Sequence, residues 1–226
     1  MQQYFVNEIL EVNKTISLNE DIVFHLSKVL RNTETNFRLV DANKEIFIAE
    51  LNGNKANIIK KLDENNELDI YITALISTIK QDKFEIILQK LTELGVKRIV
   101  PVKTAYSQDL FMNDKKIIRF NKIMQEAAEQ SLRNIIPELC PLINIKEVDK
   151  YNSELNIVPY EKETNSNTNL KANSITFIIG PEGGFKEEEI ELLINKGYKT
   201  MSLGKRILRA ETAAIDTASI IIWENK

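Results

Sequence analysis

The chain has 226 residues, of which 43% are hydrophobic and 28% are charged, and its net charge at neutral pH is −3. This length allows one large or two small domains with a sizeable core, and no apolar run is long enough to predict a membrane-spanning helix. The single cysteine, Cys140, excludes an internal disulfide and a cysteine-based zinc site, and the first 14 residues lack the pattern of a signal peptide, so we expect a cytoplasmic protein.

The charge is unevenly distributed along the chain. A net negative charge argues against a general affinity for polyanions. Residues 71–150 nevertheless carry 13 Lys and Arg against 10 Asp and Glu. Any contact with nucleic acid must therefore use local basic patches, and composition alone does not indicate an enzyme that acts on RNA.

Residues 1–68 predict a small β-rich domain. Short strands separated by polar turns are predicted at residues 4–6, 37–41, 45–51 and 56–62. Apolar spacing over residues 19–30 predicts a helix, with Asn19 or Asp21 as its N-cap. The acidic and asparagine-rich segment 63–67 is the best candidate boundary, so we predict domains at residues 1–68 and 70–226.

After residue 69, strands and helices alternate. Strands are predicted at residues 70–76, 98–102, 155–158, 175–179 and 198–203. Helices are predicted at 84–94, 117–132 and 213–223, and a further helix starts with the acidic residues 186–191 and is closed by Gly197. This alternation predicts a mostly parallel sheet that is covered by helices on both faces. Residues 161–173 are rich in Asn, Thr and Lys and are expected to form a surface loop.

Five of the seven glycines fall between residues 174 and 223. Four of them lie in two loops, one at 180–184 and one that begins at Gly204, each after a predicted buried strand, and Gly197 ends the helix between them. Open α/β sheets bind ligands at such strand ends. Neither loop has the glycine pattern of a P-loop or of a dinucleotide site. Two tight turns in an ordinary domain would explain the glycines alone. The polar groups of Arg206, Arg209, Glu211 and Thr212 beside the second loop favour a functional site.

Two segments, IIGPEGGFKEEEIE at 178–191 and SLGKRILRAETAA at 202–214, resemble the signature segments of the RsmE family. These bacterial enzymes methylate N3 of a uridine in 16S ribosomal RNA of the small subunit, using S-adenosylmethionine. Further similar segments follow the family's order: SKVLR (27–31), LQKLTELGVKRIVPV (88–102), EAAEQSLR (126–133) and IVPYEKE (157–163). The chain departs from the family at Tyr106, where the family has arginine, and at Leu132, where it has glycine.

The resemblance implies an α/β fold with two parts: an N-terminal PUA-like β-barrel, which binds RNA, and a C-terminal SPOUT methyltransferase domain with a mostly parallel sheet and a deep trefoil knot. It implies a homodimer that acts on 16S ribosomal RNA or on the small ribosomal subunit, without a metal ion. The very apolar helix at 213–223 also predicts a dimer, because one sheet cannot cover all of its faces. A monomer in which the helix at 117–132 covers that face is the alternative.

The resemblance also implies the residues of the site. Arg209 is expected to meet negative charge that develops on the uracil. Glu211 accepts the N3 proton or orients Arg209, or it only stabilises the start of a helix. RNA contacts are expected from His25, Lys28, Arg31 and Arg133, of which His25 is alternatively a structural residue and Lys28 and Arg31 plain surface charges. The S-adenosylmethionine pocket is expected to consist of Pro159, Tyr160, Ile179, Gly180, Pro181, Glu182, Gly183, Gly184, Leu203, Gly204, Ile207, Leu208, Thr212 and Ala213.

Two other classes of function are compatible with this sequence. One is a different reaction of the same superfamily, such as methylation of a ribose 2′-hydroxyl or of guanine N1. The other is an RNA-binding module without catalytic activity. The intact pair of glycine loops, together with Arg209 and Glu211, favours an active enzyme.

Overall fold

The fold is taken from a computed structural model that describes residues 1–29, 36–108, 112–164 and 169–226. The chain divides into two units, one of residues 1–67 with 128–135 and the other of residues 68–127 with 136–226. The sequence assigned residues 128–135 to the second domain, but they pack with the first unit. The reason is a buried polar cluster, in which Arg133 and Asn134 bind the carboxylate of Glu67.

The first unit contains a five-stranded sheet. Its strands are β1 (Gln3–Phe5), β2 (Thr15–Ser17), β3 (Asn36–Val40), β4 (Ile46–Asn52) and β5 (Lys55–Leu62). They lie in the order β1-β3-β4-β5-β2, with β1 parallel to β3 and the other neighbours antiparallel. Alternate side chains of β3 and β4, such as Phe37, Leu39 and Phe47, enter the core of this unit.

A short helix, α1 (Glu20–Phe24), covers part of this core with Ile22. Asn19 is its N-cap, as one of the two sequence alternatives predicted, and its side chain accepts a hydrogen bond of 2.8 Å from the Ile22 amide. The helix continues as a π-helical turn, His25–Val29. The predicted end of the helix at residue 30 lies outside the described residues.

The second unit contains a seven-stranded sheet. Its strands are β6 (Tyr71–Ser77), β7 (Arg98–Lys103), β8 (Glu138–Leu139), β9 (Ile143–Asn144), β10 (Leu155–Pro159), β11 (Ser174–Ile179) and β12 (Tyr198–Met201). The order is β12-β10-β11-β6-β7-β8, and β9 also pairs with β7. Each pairing in the described part of this sheet is parallel, which confirms the predicted mostly parallel sheet.

Helices pack against both faces of this sheet. They are α2 (Gln81–Glu93), α3 (Asp114–Gln130), α4 (Glu187–Asn195), α5 (Ala210–Glu224) and a 3-10 helix, Ile145–Tyr151. Residues of α2, α3 and α5 share one core with Ala74 of β6, whereas α4 and the 3-10 helix share the other core with Leu75. Consecutive strand residues point to opposite faces, so one strand serves both cores. No helix in the described ranges has the length and apolarity that crossing a membrane requires.

Candidate functional site

A cavity of about 620 Å³ lies at the carboxyl ends of β10, β11 and β12. Because these three strands are parallel neighbours, their carboxyl ends meet at one edge of the sheet, where open α/β sheets bind ligands. The volume falls within the range of about 300–1,000 Å³ that small-molecule sites occupy. The cavity is therefore large enough for a nucleoside-sized ligand.

The loop between β11 and α4 forms one wall, with residues 180–185. At Gly183 an added Cβ atom would lie 3.1 Å from the Cβ atom of Tyr106, so a side chain there would fit only if Tyr106 shifted. Gly184 has a φ angle of +71°, and its amide donates to the Pro181 carbonyl to close a tight turn. The glycines of this wall therefore present backbone groups, rather than side chains, to the cavity.

A buried carboxylate fixes this loop to its neighbour. Glu189 is 8% exposed, and its two oxygens accept hydrogen bonds from the amides of Ala105 (2.8 Å) and Lys186 (3.0 Å). The ring of Tyr106 then lies against Gly183, with the Lys186 ammonium 5.4 Å from the ring centroid. Tyr106, where the family has an arginine, is thus held beside the cavity wall.

The loop between β12 and α5 forms the opposite wall, with Leu203, Gly204 and residues 206–209. Gly204 has a φ angle of +95°, and no atom lies within 4 Å of the position that a Cβ atom would take. Glycine is required there by backbone conformation and not by crowding. The loop carries apolar side chains towards the cavity, including Ile207, which is 89% exposed.

The start of α5 places charged groups at the cavity. Arg209 is the N-cap residue of α5 and is exposed, and the described residues include no hydrogen-bond or ion-pair partner for its guanidinium. Glu211, in the first turn, lies with its Oε1 atom 3.3 Å from Nζ of Lys83. Among the described residues, Glu211 therefore pairs with Lys83 of α2 and not with Arg209. The sequence had offered an interaction between Glu211 and Arg209 as one possibility.

All of the residues predicted to bind the cofactor line this cavity except Thr212, which is exposed and lies away from the wall. Arg209 and Glu211 line it too. The sequence prediction did not include six further lining residues: Lys80, Lys83, Glu161, Phe185, Arg206 and Ala210. Four of these are sequence neighbours of predicted residues, but Lys80 and Lys83 lie at the start of α2, and nothing in the local sequence marks them.

The residues predicted to contact RNA differ in their burial and in their partners. His25 is half-buried, and its Nδ1 atom lies 2.6 Å from the Tyr4 hydroxyl, whose pKa is raised to about 12 by burial and by the charge of Glu129. Arg133 is 3% exposed and forms an ion pair of 2.7 Å with Glu67. This burial argues against the predicted RNA contact of Arg133 and gives it a structural role. Arg31 and the side chain of Lys28 lie outside the described residues.

Comparison with known proteins gives consistent results. The family model described as an RNA methyltransferase domain matches residues 66–222. The ribosomal RNA small subunit methyltransferase E of Mesomycoplasma hyopneumoniae is 37% identical over 95% of this chain and 96% of its own length. The protein of the same name from Bacillus subtilis is 30% identical over 100% and 98% of the two chains.

A solved structure agrees with these sequence relatives. The crystal structure of a ribosomal RNA small subunit methyltransferase E from Neisseria gonorrhoeae, bound to S-adenosyl methionine, superposes with a TM-score of 0.88. It is 30% identical, and the match covers 98% of this chain and 96% of that one. The family model, the sequence relatives and the solved structure each match most of this chain. The chain therefore belongs to the ribosomal RNA small subunit methyltransferase E family of RNA methyltransferases.

Proposed function

We propose that this protein binds S-adenosylmethionine in the described cavity and transfers its methyl group to N3 of a uridine in 16S ribosomal RNA. The observation that carries the proposal is the Arg209 guanidinium, which has no partner among the described residues and lines, together with Glu211, a cavity bordered by two glycine loops. Related proteins that match over most of the chain are methyltransferases of small-subunit ribosomal RNA by name. Because that RNA is cytoplasmic, the enzyme acts in the cytoplasm.

The residues of the cavity fit the cofactor. Glycines at positions 180, 183, 184 and 204 leave backbone amide and carbonyl groups at the wall, and such groups can read the edge of an adenine without long side chains. Apolar side chains of Ile179, Leu203 and Leu208 supply contacts for a flat base. S-adenosylmethionine, when bound, supplies an electrophilic methyl group on a positively charged sulfur.

The reaction requires that the N3 proton leaves while the nitrogen bonds the methyl carbon. Negative charge then develops on O2 and O4 of the uracil, and Arg209 stabilises it as a permanent cation. Glu211 accepts the N3 proton and passes it to solvent. The bond between sulfur and the methyl carbon breaks as the bond between N3 and carbon forms, so the products are methylated RNA and S-adenosylhomocysteine. Much of the rate comes from holding the two reactants in line.

The finer architecture belongs to this proposal. We expect the five-stranded sheet of residues 1–67 to act as a PUA-like barrel that holds RNA, and the segment 174–219 to be threaded as a trefoil knot. The expectation of a knot rests on the resemblance of residues 178–191 and 202–214 to the signature segments of the family. A crystal structure whose C-terminal helix lies outside every loop would contradict it.

The test is to identify the methylated atom. Small ribosomal subunits from cells that lack the gene are incubated with the purified protein and S-adenosylmethionine, and the digested RNA is analysed by mass spectrometry against 3-methyluridine. We expect 3-methyluridine at one position, and none without the protein. A ribose-methylated or guanine-methylated nucleoside would favour another reaction of the superfamily. No modification, despite tight RNA binding, would favour a binding module.

A further inference from the structure

We infer that Lys83 is a positioning residue for the methyl transfer, which holds the Glu211 carboxylate at the cavity wall and away from Arg209. This inference rests on the proposed function, because it concerns the same site. The observation is the ion pair of 3.3 Å between Lys83 Nζ and Glu211 Oε1. Both residues line the cavity, although they come from α2 and α5.

The packing of the two helices makes this pair specific. Phe84 and Ile87 of α2 share a core with Ala214 and Ala218 of α5, so the starts of both helices are held at the same end of the sheet. The side chain of Glu211 is 13% exposed and that of Lys83 is 31% exposed. An ion pair that is partly withdrawn from water is less screened than one on the open surface. Its lysine is therefore able to restrict where the carboxylate points.

The consequence concerns Arg209. Arg209 and Glu211 are two residues apart at the start of α5, and both line the cavity. In the structure they do not pair, and Arg209 has no partner among the described residues. By occupying Glu211, Lys83 leaves the guanidinium available for the uracil oxygens. Without Lys83, Glu211 is free to turn to Arg209 and neutralise it.

An ordinary surface ion pair would give a different result from a positioning pair. Pairs of exposed charges contribute little to stability, and their loss does not change chemistry elsewhere. Lys90 offers the matched control, because it lies on the same helix and pairs with Glu93 at 2.9 Å but does not line the cavity. Removal of its charge alters the same helix without touching the site.

The test is steady-state methylation of purified small subunits by the wild-type protein and by Lys83→Met, Lys83→Arg, Lys90→Met, Glu211→Gln and the double variant Lys83→Met/Glu211→Gln. We expect Lys83→Met to lower kcat by on the order of tenfold or more, as misplaced catalytic groups do. The KM for S-adenosylmethionine should stay within about twofold, because the backbone groups of the loops are unchanged. Lys83→Arg should restore most of kcat, and Lys90→Met should match the wild type.

The double variant separates positioning from a general loss of structure. If Lys83 acts through Glu211, the Lys83→Met change has no further effect once Glu211 is Gln. Suppose that the wild type methylates uracil. The inference is then overturned if the losses of kcat from the two single changes multiply in the double variant, or if Lys83→Met is as active as Lys90→Met. A wild-type protein that forms no 3-methyluridine would overturn the proposed function, and the inference with it.

Discussion

Arg209 is the exposed N-cap residue of α5. It lines the cavity and has no hydrogen-bond or ion-pair partner in the described chain, although Glu211, Glu182 and Glu161 line the same cavity. An arginine held near carboxylates without pairing retains its full donor set for a ligand. In the proposed reaction these donors would meet the negative charge that develops on the uracil.

We therefore predict that Arg209→Met lowers kcat about 100-fold or more, in line with the loss of one preorganised oxyanion donor. The affinity for S-adenosylmethionine should change little, because the glycine loops and the apolar wall remain. Calorimetry of cofactor binding and single-turnover methylation measure the two effects separately. Arg206→Met, which changes a neighbouring arginine of the same loop, is the comparison. Equal losses in the two variants would argue against a specific role for Arg209.

Glu189 has a structural role that can be tested in the same way. Its buried carboxylate joins the amides of Ala105 and Lys186, so it ties the loop after β7 to the start of α4. We predict that Glu189→Ala lowers the free energy of unfolding by about 2 kcal/mol, because two amides lose their partner. Urea unfolding measures this, and Glu188→Ala, an exposed neighbour, should change stability by less than about 0.5 kcal/mol. A Glu189→Ala protein as stable as the wild type would contradict this role.

Among the elements, the two glycine loops combine glycines of positive φ with a position at the cavity wall. Gly204, at the cavity, and Gly197, at the end of α4, have φ angles of +95° and +89°. No atom lies within 4 Å of the Cβ position at either glycine. The two positions thus carry nearly the same backbone constraint, but only Gly204 lines the cavity.

We predict that Gly204→Ala and Gly197→Ala each lower the free energy of unfolding by about 1 kcal/mol, since a Cβ atom disfavours this backbone region. Only Gly204→Ala should also weaken S-adenosylmethionine binding, because its loop must shift to relieve the strain. Thermal unfolding and calorimetry on both variants check this. Weaker binding in both, or in neither, would place the cofactor elsewhere.

Element prediction succeeded where the sequence had a strong local signal. The buried strands β6, β7, β10 and β11 were found as apolar runs, because both faces of a parallel sheet are covered. Strands β2, β8 and β9 were missed, since two or three residues show no periodicity. The start of α5 was placed three residues late, because polar residues precede its apolar run. The start of this helix is marked by its N-cap residue, Arg209, and not by the spacing of apolar residues.

The site was predictable to the extent that it lies on contiguous segments. The two loops carry unusual glycine density and clustered charge, which favoured a functional site, and the resemblance to the family then named most of the wall. Lys83 could not be, because its relation to Glu211 exists only after α2 packs against α5. The burial of Arg133 could not be predicted either. A sequence does not show that a charged residue is buried against another, such as Glu67.

At the scale of the whole molecule, α5 leaves apolar surface uncovered. One stripe of this helix, including Ala214, Ala218 and Ile221, is buried in the second unit. On its other sides Ile220 and Ile222 are only half-buried, and Trp223 is 72% exposed. A tryptophan this exposed beside further apolar residues is typical of an interface centre. We propose that a second copy of the chain covers this face.

We therefore predict a particle of twice the chain mass of 26.0 kDa in light scattering at micromolar concentration. Trp223→Glu should shift the mass towards the monomer, because a charge placed in an apolar contact must be desolvated without a partner. Ile194→Glu is the control, since Ile194 of α4 is another apolar residue that is 50% exposed. If the partner completes the RNA-facing site, the Trp223→Glu monomer loses methylation in proportion to its loss of dimer. A wild-type monomer with full activity would show instead that one chain contains the whole site, and that the exposed face of α5 serves another purpose.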